Sequence, residues 1–242
     1  MNNYNKENNV SNLDFLIPSQ VGPIELPDTI EFKYSVFDVS SYSQSLFQHY
    51  GVDMPQSLQS AVNKRCAEYL AGRIVARQAI ERINGTKPQL GTHKDRSPIW
   101  PKGLIGSITH SDRFAAAALA QQKYHQFLGI DFEHWINAQL ADELSGQILD
   151  KYEKQLLSQC SISFEQGVTL IFSAKESFYK ALYPHVKTFF GFDEARVSSM
   201  DVASGRFTIE LLTSFGDEFE QGWEIKGYFK MLPDGILTYI FY

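Results

Sequence analysis

The stretch that most constrains this chain is Phe172-Ser173-Ala174-Lys175-Glu176-Ser177-Phe178-Tyr179-Lys180-Ala181-Leu182. Ile171, Ala174, Phe178 and Leu182 recur at helical spacing and form an apolar stripe, so the segment must lie as a helix against a core. At about 100° per residue, Glu176 and Lys180 fall opposite that stripe and Lys175 falls at its edge. The spacing therefore predicts one carboxylate and two ammoniums on the exposed side of an anchored helix. A Glu and a Lys four residues apart are also what a solubilising pair looks like, worth about 0.2–0.5 kcal/mol. The rest of the chain has to decide between the two.

With 242 residues, 43% of them hydrophobic and 14% aromatic, the chain can bury one large core or two packed ones. No apolar run approaches the roughly 18 residues of a membrane span. The polar start, with no apolar segment before Pro18, predicts a cytoplasmic rather than a secreted protein. Cys66 and Cys160 are too few for a disulfide scaffold and are expected to be reduced. A formal charge of −6 argues against general nucleic-acid binding, though not against a local cationic pocket.

Residues 1–27 read as a polar, proline-punctuated arm. Ile30 to Phe37 alternates as a strand, Ser41 to His49 reads as a helix, and Leu58 to Ile83 reads as one long helix capped by Asn84-Gly85. Arg65, Arg73 and Arg77 project from that helix within about a third of its circumference, a sector that suits a phosphate ligand or, equally, a solvated face. Gly91 to Gly103 is a proline-rich loop holding Arg96. Leu104 to His110 reads as a strand with Thr109 and His110 at its end, and Phe114 to Ala120 as its hairpin partner.

Phe127 to Glu133 is the sharpest strand. Leu128, Ile130 and Phe132 point one way, while Gly129, Asp131 and Glu133 point the other, with same-face residues about 6.6 Å apart. Like charges on one face repel unless a cation lies between them, and an all-oxygen donor pair suits Mg²⁺ better than zinc. Gly129 would leave that face open. Leu140 to Ser158 reads as one amphipathic helix, Gln166 to Leu182 as the organising helix closed by Pro184, and four further strands follow from Ala195 to Tyr242.

Gly129-Ile130-Asp131-Phe132-Glu133 followed by Phe172-Ser173-Ala174-Lys175-Glu176-Ser177-Phe178-Tyr179-Lys180 resembles the paired signature of the 4′-phosphopantetheinyl transferases of surfactin and enterobactin type. Ser107-Ile108-Thr109-His110-Ser111 is similar to the family's Ser-His motif. Arg96-Ser97-Pro98 resembles its Arg/Gly-Lys-Pro loop, with Ser97 in place of the basic residue. The resemblance spans Arg65 to Leu182 by motif.

What it implies is an α+β protein of two pseudo-two-fold-related halves, 28–125 and 126–242, each a small antiparallel sheet packed on a long helix. Coenzyme A would lie in the cleft between them. It implies transfer of phosphopantetheine to a serine of an apo acyl or peptidyl carrier protein, releasing adenosine 3′,5′-bisphosphate, in a monomeric enzyme. By the same resemblance Asp131, Glu133 and Glu176 would hold Mg²⁺, with Mn²⁺ as the substitute. Glu176 would act as base, and Lys180 would stabilise the leaving phosphate. Lys175 and His110 would hold the diphosphate, Thr109 would line the coenzyme site, and Arg65, Arg73 and Arg96 would bind its 3′-phosphate and adenine end. The carrier would dock near Leu140 to Ser158. A Mg²⁺-dependent nucleotide phosphohydrolase and a non-catalytic binder of coenzyme A or carrier protein are the rival expectations.

Overall fold

Two sheets meet edge to edge, and a long helix covers a face of each. A computed structural model describes residues 15–17 and 24–242. The first sheet contains β1 (Leu16–Ile17), β2 (Ile30–Phe37), β3 (Leu104–His110) and β4 (Phe114–Gln121) in the order β1-β2-β4-β3. The second contains β5 (Leu128–His134), β6 (Ala195–Asp201), β7 (Arg206–Leu211), β8 (Glu224–Leu232) and β9 (Gly235–Phe241) in the order β5-β9-β8-β7-β6. Neighbouring strands within both sheets run antiparallel. After the short α1 (Ser45–His49), α2 (Asn63–Asn84) packs on the first sheet, and α5 (Phe164–Val186) packs on the second beside α3 (Ala138–Ile148) and α4 (Lys151–Ser158). This is the α+β arrangement of two sheet-on-helix halves. Among the described residues no helix is long and apolar enough to cross a membrane.

Each half has its own apolar core, and a third core joins them. Ala115, Ala117 and Leu119 of β4 face the α2 side, whereas Phe114, Ala116, Ala118 and Ala120 pack with Leu128, Ile130, Phe132, Leu237 and Tyr239 of the second sheet. Both faces of β4 are therefore buried, which removes the polar alternation that would mark a strand in the sequence. Small alanines on both faces let the helix and the second sheet close on it.

The edge strands β3 and β5 lie side by side, and side-chain oxygens replace a backbone ladder between them. Ser107 Oγ accepts from the Ile130 N–H at 3.0 Å, and Thr109 Oγ1 accepts from the Phe132 N–H at 3.0 Å. The two edges protect each other without merging into one continuous sheet.

Four sequence expectations change. Within the arm 1–27, residues 1–14 and 18–23 lie outside the described residues, but Phe15 is buried against Phe37, Tyr42 and Tyr50, and Leu16 pairs with Phe37. An aromatic side chain with a place in the core ties down that point of the arm. The helix expected over 140–158 is two helices, because Asp150 starts a new one with a reciprocal cap: its carboxylate accepts from the Glu153 N–H at 2.8 Å while Glu153 accepts from the Asp150 N–H at 2.9 Å. Helix α5 runs through Pro184 and stops at Lys187, which has φ 53° and donates its N–H to the Tyr183 carbonyl at 2.9 Å. A proline in the last turn removes a single intrahelical donor, which the helix end tolerates.

Gly129 does not leave its face open. Helix α5 lies directly on it, and a Cβ at that position would come within 2.0 Å of the Ser177 carbonyl oxygen and 2.8 Å of the Ala181 nitrogen. Gly129→Ala is therefore expected to lower unfolding free energy by about 3 kcal/mol, the upper range for overpacking. Urea denaturation checks this, and a loss below about 1 kcal/mol would mean that α5 is free to shift.

Candidate active site

The site forms where β3, β5 and α5 meet, around the buried Asp131. Its Oδ1 accepts from Lys180 Nζ at 2.6 Å and from Thr109 Oγ1 at 3.2 Å, and its Oδ2 accepts from Ser173 Oγ at 2.8 Å. Ser173 in turn lies 2.9 Å from Thr238 Oγ1 on β9, directly across the ladder from Asp131. A buried carboxylate keeps its charge only when its lone pairs are occupied, and here a strand from the first half and a helix from the second supply the donors.

Glu133 and Glu176 sit beside it without hydrogen-bond partners among the described residues. Burial, then the Asp131 carboxylate, push Glu133 up to about 8 despite Lys180 nearby. Burial also raises Glu176, against the pull of Lys180. The predicted metal trio Asp131, Glu133 and Glu176 is thus electrostatically close. As the side chains stand, however, no three carboxylate, imidazole or thiol groups among the described residues are gathered as a ligand set. Lys180 fills the place beside Asp131.

A cavity of about 330 Å³ opens next to this cluster, lined by Arg65, Arg73 and Tyr69 of α2, by Thr92, Arg96 and Pro98 of the loop, and by His110 at the end of β3. Arg73 is 5% exposed; its Nη2 donates to Thr92 Oγ1 at 2.8 Å, its guanidinium lies 4.7 Å from the centre of the Tyr69 ring, and its buried Nη1 has no hydrogen-bond partner among the described residues. Arg65 Nη1 donates to His110 Nε2 at 3.1 Å and lies 3.6 Å from Glu68. Because a guanidinium only donates, His110 Nε2 must accept and the ring proton sits on Nδ1, which faces Glu68 at 3.8 Å. Burial, Arg65 and Lys180 push His110 down to about 4, so the ring is neutral at neutral pH.

Three predicted residues have other tasks. Lys175 lies inside the protein, where its three N–H bonds go to Glu153 Oε2 at 2.9 Å, the Ile148 carbonyl at 2.8 Å and the Phe192 carbonyl at 2.9 Å. An ammonium has three donors, so none remains for a diphosphate. Thr109 is buried with its hydroxyl engaged by Phe132 and Asp131, which makes it a support for the carboxylate and not a coenzyme contact. Arg77 turns away from the cavity and ties the carbonyls of Tyr50, Gly51, Lys87 and Pro88 together. Helical periodicity gave its direction but could not show that two loops end there.

Comparison with known proteins decides the family. Residues 54–120 match the 4′-phosphopantetheinyl transferase N-terminal domain, and residues 127–230 match the 4′-phosphopantetheinyl transferase superfamily. The chain belongs to the 4′-phosphopantetheinyl transferase superfamily. It is 38% identical to enterobactin synthase component D of Salmonella typhi over 74% of its own length and 72% of that protein. It is also 38% identical to the Escherichia coli K12 protein of that name over 70% of its length and 76% of the other. To the 4′-phosphopantetheinyl transferase Npt of Nocardia iowensis it is 31% identical over 64% of its length and 71% of the other. Transfer of phosphopantetheine to carrier proteins is therefore its activity, and the phosphohydrolase and non-catalytic readings fall away.

For this transferase, sequence reasoning missed Glu153, Ser173, Thr92, Asp95 and Tyr183. Ser173 stood inside the quoted motif and Glu153 inside a predicted helix. Only tertiary contact reveals their partners, 22 to 88 positions away for the pairs Lys175–Glu153, Ser173–Asp131 and Tyr183–Asp95.

Two expectations follow for this site. Lys175→Met should cost about 3 kcal/mol, because it strands the Glu153 carboxylate at 0% exposure, while leaving coenzyme A affinity within about twofold. Denaturation and calorimetric titration check this; unchanged stability with lost affinity would return Lys175 to the diphosphate. His110 has a folded pKa below its unfolded value, so the stability it preserves as a neutral ring is lost as pH falls from about 6.5 towards 4. Between pH 7 and 5 the unsubstituted protein should lose about 2 kcal/mol more than His110→Asn. Parallel melts at the two pH values would read the difference.

Proposed function

We propose that the cavity beside α2 takes the 3′-phosphate and adenine end of coenzyme A, and that the Asp131 cluster carries out the transfer. The observation that carries this reading is buried Arg73, whose Nη1 has no hydrogen-bond partner among the described residues and which lines a cavity together with Arg65, Arg96 and His110. A buried cationic donor without a partner is costly, and a phosphate oxygen would satisfy it. Coenzyme A is the family's co-substrate, and its diphosphate would reach from the arginines towards His110 and Lys180.

The donor set fits Mg²⁺. Glu133, raised to about 8 by burial and by Asp131, has negative charge around it that a divalent ion would offset, and all three donors are oxygens. Asp131, Glu133 and Glu176 would hold the ion, with Lys180 shifting from Asp131 to the substrate. When bound it would offset charge on the diphosphate. Glu176, made more basic by burial, would take the proton from the carrier serine hydroxyl. Lys180, 27% exposed and one helical turn further along α5, would stabilise the departing adenosine 3′,5′-bisphosphate. Much of the rate would come from orientation and fixed charge.

The half at 28–125 supplies the arginines and the half at 126–242 the carboxylates, so one chain contains the whole constellation and the protein acts as a monomer. Coenzyme A and the free thiols of Cys66 and Cys160 suit a cytoplasmic setting. The likeness to enterobactin synthase component D favours aryl or peptidyl carriers of siderophore or other non-ribosomal peptide synthesis. The carrier would dock near α3 and α4, where Leu140 and Tyr152 are exposed.

Intact-mass spectrometry of apo carrier proteins incubated with this enzyme, coenzyme A and Mg²⁺ tests the reading. A phosphopantetheine mass gain is expected, lost with EDTA, and reduced at least about 100-fold in Glu176→Ala while coenzyme A still binds. Full transfer in EDTA would remove the metal from the account, and full activity in the variant would remove Glu176 as base.

A further inference from the structure

Arg96 occupies an unusual position that nothing in its own contacts explains. It lines the anion cavity and also a second cavity of about 570 Å³, which is bounded by the loop from His93 to Gly103 on one side and by Tyr179, Lys180, Tyr183 and Pro184 of α5 on the other. Its backbone has φ 72°, the left-handed region that arginine rarely adopts, so something must hold the loop in that shape.

The holding contacts lie on either side of it. Asp95 Oδ1 accepts from the Ser97 N–H at 2.9 Å and from Ser97 Oγ at 2.6 Å, and Asp95 Oδ2 accepts from the Tyr183 hydroxyl at 2.7 Å. Ser97 is the residue that departs from the basic position of the resembling loop, and here it fixes a carboxylate. Behind it the loop is closed by the Ser97 carbonyl accepting from the His93 N–H at 2.8 Å and the His93 carbonyl accepting from the Arg96 N–H at 3.0 Å. On the helix side the Tyr183 ring is fixed by stacking on Tyr179, with centroids 5.3 Å apart, and by Lys187 Nζ 5.5 Å from its centre. The phenol is thus aimed before it meets the loop.

We propose that Asp95 and Tyr183 form a latch between the two halves that positions Arg96 for the coenzyme, making both of them positioning residues for the known reaction. This rests on the reading of the anion cavity as the coenzyme A site. Tyr183 lies three residues beyond Lys180, on nearly the same side of α5, so the latch ties the loop that grips the nucleotide end to the helix that carries Glu176 and Lys180. The bond joins a carboxylate to a neutral phenol throughout the working pH range. Ser97 and Tyr183 hold the Asp95 carboxyl well below its ordinary range, and Asp95 pushes the Tyr183 hydroxyl up to about 12. Asp95 would repel a phosphate if its lone pairs faced the cavity; with three donors occupying them, the carboxylate can stand one residue from an anion-binding arginine.

The test is a double-mutant cycle of Tyr183→Phe with Arg96→Ala, read by calorimetric Kd for coenzyme A and by kcat and KM in the carrier assay. Tyr183→Phe alone should raise Kd and KM for coenzyme A about three- to tenfold, the effect of one net hydrogen bond, with kcat within about twofold. In the Arg96→Ala background the same change should move Kd by less than about 1.5-fold. Equal effects in both backgrounds, or no effect in either, overturn the latch. A purely structural Tyr183 would lower the melting temperature and leave the two effects additive. Asp95→Asn, which keeps the shape and weakens the acceptor, should reproduce the Kd change if Tyr183→Phe folds poorly; normal affinity there also overturns the proposal. Coenzyme A binding without transfer would sink the functional reading while the Kd cycle still tests the latch, and no binding by the unsubstituted protein overturns both.

Discussion

Asp131 is 3% exposed, and burying a carboxyl group that far is tolerable only if its oxygens find hydrogen-bond donors. Thr109 from β3 and Ser173 and Lys180 from α5 meet that requirement, so one side chain fixes the distance between the two sheets and the placement of the helix. Thr109 does two things at once, since its oxygen also accepts the Phe132 N–H of the facing edge strand. Ser107 repeats the second of these contacts one pleat earlier, at Ile130. The close approach of α5 depends on Gly129, which removes the Cβ that would hold the helix off. Strand edge, helix and buried charge therefore form one unit.

The two lysines of the organising helix show how burial divides similar side chains between structure and chemistry. Lys175 is enclosed with Glu153 and two carbonyls, and Glu153 is itself engaged by the N–H groups of Asp150 and Val197. That network ties α4, α5, β6 and the turn at Phe192 together, and every donor in it has an acceptor. Lys180 keeps part of its surface in water and a single carboxylate partner, which leaves it free to re-aim. Glu176, between them in sequence, has no hydrogen-bond partner among the described residues.

The arginines of α2 divide the same way. Arg77 satisfies loop carbonyls and so fixes the chain before and after its own helix. Arg73, one turn earlier, reaches Thr92 with one nitrogen and holds another buried and, among the described residues, unpaired, and it lines the same cavity as Arg65 and Arg96. Gly72 allows this placement, since Ile108 of β3 would touch a Cβ there at 3.0 Å and α2 can lie close to the strand end that carries His110.

The sequence by itself determined the strands with one wet face, the long capped helices, and the residue types of the site, because 2-residue and 3.6-residue periods and end caps are local properties of the chain. The Gly-Ile-Asp-Phe-Glu strand and the Lys-Glu-Ser helix were legible for that reason, as was the family they resemble. Tertiary structure alone decided which charges are enclosed with partners and which line a cavity. Lys175 and Lys180 are five residues apart, so their directions around the helix differ by about 140°; periodicity separates them but carries no sign that Lys175 would meet Glu153. The division of the helix at Asp150, the burial of both faces of β4 and the bond from Tyr183 to Asp95 likewise depend on partners far along the chain. Desolvation and hydrogen-bond satisfaction act through space, and a one-dimensional pattern carries no record of what lies opposite.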